Sequence, residues 1–107
     1  MITKSTNNLD EKYIEVETDT LDNLFKEKIK IKLIKIEAEG FETEILKGSL
    51  DIIKKTEFIC VDGGPERGPK NTQTIEELVN TLTDNNFKLL FLNDNGRALF
   101  SNNKFNN

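Results

Sequence analysis

The spacing of apolar positions changes repeatedly along this chain, and each change marks an element. Tyr13 to Thr18 alternates apolar with polar residues, the period of a short strand. Thr18, Asp19 and Thr20 then offer capping side chains for a short helix over about Leu21 to Lys26. Ile31 to Glu37 carries Leu33, Ile34 and Ile36, enough apolar character for a strand buried on both faces, as parallel strands are. Phe41, Ile45, Leu46, Leu50 and Ile53 fall on one stripe at helical spacing and predict a single helix over Phe41 to Lys55. Glu39, Glu42 and Glu44 at its start and Lys54 and Lys55 at its end suit the helix dipole. Gly48 in its middle costs on the order of 1 kcal/mol against alanine, which points to close packing against a sheet.

Phe58 to Val61 is a continuous apolar run, a second buried parallel strand. The glycines and prolines of Asp62 to Pro69 make a loop. Thr74 and Glu77 have the spacing of a capping box, and Ile75, Leu78, Val79 and Leu82 form a helical stripe ending near Asn85 and Asn86. Phe87 to Leu92 is a strand, Asn93 to Gly96 a hairpin turn, and Arg97 to Ser101 the antiparallel return. Strands alternating with helices predict an α/β fold: a mostly parallel sheet with helices packed on it and a C-terminal antiparallel β-hairpin. Residues 1–10 and 102–107 are polar and aperiodic and read as disordered tails, leaving 11–101 as one α/β domain.

Composition narrows the possible functions. The 107 residues suffice for one small domain. Net charge is −4 and the 15 basic residues are dispersed, which argues against nucleic acid as a partner. Lys28, Lys30 and Lys32 form the one basic cluster, read as the solvated side of a strand. No apolar stretch reaches transmembrane length and the first residues have no signal-peptide core, so no membrane partner and a cytoplasmic location are expected. Cys60 sits between Ile59 and Val61 and reads as a buried small hydrophobe. The absence of histidine excludes Ser-His and Cys-His catalysis and ordinary zinc sites.

Two constellations remain. Lys35 and Glu37 are two apart on a strand, so they share a face and can pair; Glu39 and Gly40 occupy the turn that follows, and Glu42 the helix start. Gly40 permits a positive φ or a close backbone approach by a ligand. Asp62, Gly63, Gly64, Glu66 and Arg67 follow the Phe58 strand. If these strands are parallel neighbours, both sets of carboxylates converge at one edge of the sheet, where open α/β sheets bind ligands. Converging acids can hold a cofactor's amino group or ribose, act as a general base toward a hydroxyl, or hold a hard cation; the spacing matches no cation loop, and no metal is expected. Each set also has a structural reading, as an acidic helix start with an ion pair and as a Gly-Pro turn.

These phrases resemble the FkbM-type methyltransferases. Thr20-Leu-Asp22-Asn-Leu is similar to that family's T-L-D-x-L; Leu33 to Glu42 (L-I-K-I-E-A-E-G-F-E) to its L-I-K-I-D-x-E-G-x-E; Ile45 to Gly48 to its V-L-x-G; and Val61 to Gly68 to a D-x-G-P-E-R-G phrase in some members. The resemblance runs from about Ile14 to Ser101 and implies a truncated Rossmann-like methyltransferase sheet. It implies S-adenosylmethionine as cofactor and O-methylation of a sugar or other secondary metabolite. Residue by residue it implies Glu37 and Glu39 beside the transferring methyl and the acceptor, Asp62 and Glu66 on the acceptor side, Lys35, Glu37 and Gly40 toward the cofactor, and Asp22 at a helix start. Glu37 stands where the family usually has aspartate. No G-x-G-x-G loop occurs among the six glycines, so the chain resembles the family's C-terminal portion.

Two functions stay open. One is the C-terminal portion of a methyltransferase, catalytically relevant only with a complementary N-terminal portion, with a hydroxyl-bearing small molecule and a complementary N-terminal methyltransferase chain as partners. The other is a non-catalytic methyltransferase remnant that acts through an exposed strand edge, including self-association.

Overall fold

The computed structural model describes residues 2–7, 12–27, 29–63 and 74–105; for Ile2–Asn7, Lys12 and Tyr13 the backbone alone is described. In chain order the elements are β1 (Ile2–Asn7), β2 (Lys12–Glu17), α1 (Leu21–Leu24), β3 (Ile31–Ile36), α2 (Glu42–Lys47), a 3-10 turn (Ile52–Lys55), β4 (Thr56–Asp62), α3 (Ile75–Asp84), β5 (Phe87–Leu92), β6 (Arg97–Asn102) and a closing 3-10 turn (Asn103–Phe105).

β1 and β2 form an antiparallel two-stranded sheet, and the other four strands form a sheet in the order β3-β4-β6-β5. β3 and β4 are parallel; β6 is antiparallel to both β4 and β5. The pairings are therefore mostly antiparallel, which corrects the expected mostly parallel sheet. β3, β4 and β5 do share one direction. The crossover through α3 skips a position, however, and the hairpin return fills it from inside.

The sheet buries one face. Ile36 of β3, Ile59 and Val61 of β4, and Ala98 and Phe100 of β6 make one core with Leu46 of α2, Ile52 and Ile53 of the 3-10 turn, and Leu78 and Leu82 of α3. The other face carries Phe58, Cys60 and Leu99, half-buried, and Leu33, 53% exposed. The smallest dimension of the molecule, 18 Å, leaves room for the sheet and one helix layer about 10 Å across. Leu33 and Cys60 are thus less buried than their apolar runs predict. β3 has a sheet neighbour on one side, so only half the shielding of an interior strand is available.

The predicted helix over Phe41 to Lys55 is broken. α2 ends at Lys47, with Gly48 as its C-cap, and the chain restarts as the 3-10 turn at Ile52. The cause lies in the T-L-D phrase. The Asp22 carboxylate accepts hydrogen bonds from the N–H groups of Asp51 (3.0 Å) and Ile52 (2.8 Å), and the Asp22 N–H donates to the Gly48 carbonyl (3.0 Å). Asp22 therefore starts a helical turn other than its own, and the stripe residues Phe41 and Leu50 stay exposed. A Cβ at Gly48 would lie 3.0 Å from Thr20 Cγ2, so the close approach is to the start of α1 and not to the sheet. Thr20 caps α1 by accepting from the Asn23 N–H (3.0 Å). The Asn23 amide and the Thr20 N–H donate to Asp19 and hold its carboxyl below the usual range. Asp22→Ala removes the 3-10 turn's cap and should cost about 1–2 kcal/mol, the usual worth of a capping acid, read as a lowered urea midpoint at unchanged slope.

Two expected tails carry structure. Ile2–Asn7 pairs with β2, where alternating backbone pairing needs no apolar pattern. Asn102 ends β6 buried, its amide donating to the carbonyls of Ile53 (3.3 Å) and Thr56 (2.9 Å). The expected capping box does not form. Thr74 precedes α3, but its hydroxyl has no hydrogen-bond partner among the described residues, and Glu77 is drawn to Lys47 of α2 at 3.1 Å.

Candidate active site

β3 and β4 run parallel with Ile36 beside Val61. The next residue in each segment is an acid, Glu37 just past the end of β3 and Asp62 as the last residue of β4, so the two emerge together at the C-terminal rim of a parallel pair. β6 adds a third side chain. Arg97 is the register partner of Asp62, and its guanidinium reaches both acids: Nη2 lies 3.1 Å from Glu37 Oε1, and Nε lies 3.8 Å from Asp62 Oδ2. Lys35 also pairs with Glu37, Nζ to Oε2 at 3.4 Å, as the two-residue spacing predicts. Its side chain is exposed at the sheet surface rather than buried inside it. Asp62 is the most sheltered member, its side chain 15% exposed against 43% for Glu37.

Turn chemistry fixes both flanks of the rim. Arg97 follows a hairpin turn in which the Asn93 carboxamide oxygen accepts from the Asn95 N–H (3.0 Å) and the Arg97 N–H (2.9 Å). The Gly63 N–H donates to the Gly96 carbonyl (2.8 Å), and the Gly63 carbonyl accepts from the Thr74 N–H (3.1 Å). The end of β4 is thereby tied to the hairpin on one side and to the start of α3 on the other.

After Glu37 the chain makes a tight turn, closed by the Phe41 N–H on the Ala38 carbonyl (3.1 Å). Both central residues are left-handed, Glu39 at φ 51° and Gly40 at φ 100°, the signature of a type I′ turn. Glu42, 2% exposed, folds back into this turn. Its carboxylate accepts from the N–H groups of Ala38 (2.6 Å) and Gly40 (3.0 Å). The spacing of E-G-x-E thus divides labour: Glu37 stands on the rim, Glu39 is exposed in the turn, and Glu42 holds the turn from within. The buried Gly40 has its N–H engaged by Glu42, so what it offers a ligand is a missing side chain.

Of the residues expected at the site, Lys35, Glu37 and Asp62 come together. Glu39 and Gly40 lie in the adjoining turn, and Glu66 lies outside the described residues. Arg97 was not among them. The hairpin turn marks Arg97 as the first residue of the returning strand β6, but nothing in the sequence says that this strand lies beside β4. Among the described residues no cluster of His, Cys, Asp and Glu could hold a metal ion, and no helix is long and apolar enough to cross a membrane. A surface depression of about 300 Å³ lined by Asn23, Phe25 and Ile29 opens before the start of β3, about 17 Å of strand away from the rim.

No curated protein and no solved structure matches the chain significantly. The Methyltransferase FkbM domain matches residues 2–89. That span covers β1 through the start of β5, including the T-L-D phrase that caps the 3-10 turn, the glutamate turn and both rim acids; Arg97 lies beyond it. With the match extending over most of the 107 residues, the chain belongs to the FkbM methyltransferase family.

Proposed function

We propose that this chain supplies the acceptor side of a methyltransferase that uses S-adenosylmethionine to methylate a hydroxyl of a sugar or other secondary metabolite. The observation that carries the reading is the Ile36–Val61 register, which sets Glu37 and Asp62 side by side with Arg97 bridging them. The donor set fits the cofactor's amino group, because Glu37 and Asp62 supply carboxylate oxygens that accept hydrogen bonds while Lys35 and Arg97 balance their charge. When bound, the cofactor supplies an electrophilic methyl to the acceptor oxygen. Glu37 is placed to take the hydroxyl proton as that oxygen gains the methyl. Asp62, more sheltered and held by Arg97, orients the acceptor. Glu39 flanks the acceptor from the turn, and Lys35 lies on the cofactor side. The sequence offers no Gly-rich loop for the nucleotide, so a complementary N-terminal methyltransferase chain completes the site.

Calorimetric titration tests this. S-adenosylmethionine should give no binding heat with the chain alone at millimolar ligand, and saturable binding once a polypeptide carrying the Gly-rich first half of an FkbM methyltransferase is added. In that mixture Glu37→Gln should lower kcat by at least about 100-fold, the low end of what a general base contributes, with cofactor affinity largely kept. Absence of binding in the mixture overturns the reading. A second reading, a non-catalytic interaction module, is favoured by the open edge of β3, where Leu33 is 53% exposed.

A further inference from the structure

Among the described residues β1, β2, β3 and β5 each have a sheet neighbour on one side only, and the edges of β2 and β3 are complementary. Among the described residues β2 pairs with β1 alone and β3 with β4 alone. An unpaired edge is a template for another strand, and an isolated two-stranded hairpin is marginally stable. Both edges also expose large apolar side chains: Ile14 (68%) and Val16 (41%) on β2, and Leu33 (53%) on β3.

Laid antiparallel, the two edges match in one register. Ile14 falls opposite Leu33, Glu15 opposite Lys32, Val16 opposite Ile31, and Glu17 opposite Lys30. Directly opposed residues share a face and interact, so this register makes two apolar pairs on one face and two opposite-charge pairs on the other. Slipping by one residue sets glutamates against Leu33 or Ile31. Slipping by two sets Leu33 against Lys12, or Glu15 against Ile34. The lysine-rich approach to β3, read from sequence as a solvated side, thereby acquires a specific acidic counterpart. Lys32 already pairs with Glu57 at 2.6 Å, and its side chain, 75% exposed, remains within reach of a further carboxylate.

The chain's own hairpin is not on its own β3. The link between them is anchored at Asp22, which is tied to Gly48, Asp51 and Ile52. The longest dimension is 54 Å, and the radius of gyration, 15.2 Å, exceeds the value of about 13 Å for a compact chain of this length; the β1–β2 pair forms a sheet of its own. Each copy therefore has one donor arm and one acceptor edge. A two-fold exchange uses both, in the closed arrangement that homodimers favour.

We infer that this chain forms a homodimer in which the β1–β2 hairpin of each copy adds, through β2, to the β3 edge of the other. The inference uses the edge named in the second reading above. Its failure leaves the methyl-transfer reading untouched, because it is read by molecular size and not by cofactor binding.

Sedimentation equilibrium of the full chain tests it. The natural sequence should run at twice the chain mass. Glu15→Lys with Glu17→Lys should be monomeric alone, and so should Lys30→Glu with Lys32→Glu. Mixed in equal amounts, these two variants should dimerise with each other, since each arm then meets an edge of opposite sign. Ile14→Lys, which leaves all four charges in place, should also be monomeric. If a charge variant is poorly folded, the four-fold swap in one chain should recover the dimer. A monomeric natural chain overturns the proposal. So does a dimer that survives both charge variants, or a mixture that stays monomeric, the result expected if the hairpin closes on its own chain.

Discussion

Gly63→Ala should lower the stability of this domain by about 3 kcal/mol, the upper part of the range for forcing extra volume into a packed site. A Cβ at position 63 would lie 2.7 Å from Ile75 Cα and 2.8 Å from Ile75 N. Those are backbone atoms at the first turn of α3, so no rotamer change relieves the overlap; β4 and α3 must separate. Two hydrogen bonds would suffer with them, Gly63 N–H to Gly96 and Thr74 N–H to the Gly63 carbonyl. For a domain of this size, 3 kcal/mol corresponds to a fall in Tm on the order of 15 °C, measurable by thermal unfolding. The rim should respond too, because Gly63 follows Asp62 directly and the Gly96 turn carries Arg97. Gly48→Ala provides the contrast. Its nearest neighbours are Thr20 Cγ2 at 3.0 Å and Thr20 Cβ at 3.1 Å, which need give by only a few tenths of an ångström, so its effect should be smaller.

The pairing of β3 with β4 was legible because each is an apolar run that ends in an acid, and chain order makes neighbours of strands joined by a helix. Glu37 and Asp62 could therefore be placed on one rim from sequence. Arg97 could not, since it stands sixty residues from Glu37 in the chain and reaches the rim only because β6 lies inside β5. The order β3-β4-β6-β5 makes β6 the interior strand and β5 the edge. Leu90, Phe91 and Leu92 remain exposed on β5 while Ser101 and Asn102 are buried on β6. Asn102 earns its interior place by donating to the Ile53 and Thr56 carbonyls, a service no apolar pattern records. The break in the Phe41 to Lys55 helix was hidden for the same reason. Periodicity sees residues three and four apart, and the carboxylate that captures the Asp51 and Ile52 N–H groups belongs to Asp22, far upstream.

The rim combines elements of unequal rigidity. Asp62 and Arg97 sit at the ends of strands paired to each other in register. Glu37 lies just past the end of an edge strand, and its position depends on the turn that follows. The strength of that turn therefore bears on any chemistry at the rim, and it rests largely on one buried acid.

Glu42→Ala should accordingly destabilise the domain by about 3 kcal/mol. The wild-type carboxylate is 2% exposed and accepts from the Ala38 N–H at 2.6 Å and the Gly40 N–H at 3.0 Å. Truncation takes the carboxylate acceptor away from the half-buried Ala38 and the buried Gly40, and losing the acceptor of a buried donor costs about 1–3 kcal/mol. The lost bonds were charge-assisted, which makes them stronger than neutral ones. The turn can offset little of this, because Glu39 is already held at φ 51°, where a side chain costs on the order of 1–2 kcal/mol. Once the internal acceptor is gone, the turn is held by the Phe41 N–H on the Ala38 carbonyl without that support, so Glu39 relaxes more easily to a right-handed conformation, and Glu37 would swing with it. Glu42→Gln keeps one acceptor oxygen and the same shape, so it should lose roughly half as much. Two measurements check the argument. Urea unfolding should rank natural chain, Gln variant and Ala variant in that order. Amide exchange at Gly40 should accelerate in the Ala variant by far more than at Val61, whose strand pairing does not involve the turn. Equal acceleration at both would mean that Glu42 supports the fold as a whole and not the turn that sets Glu37.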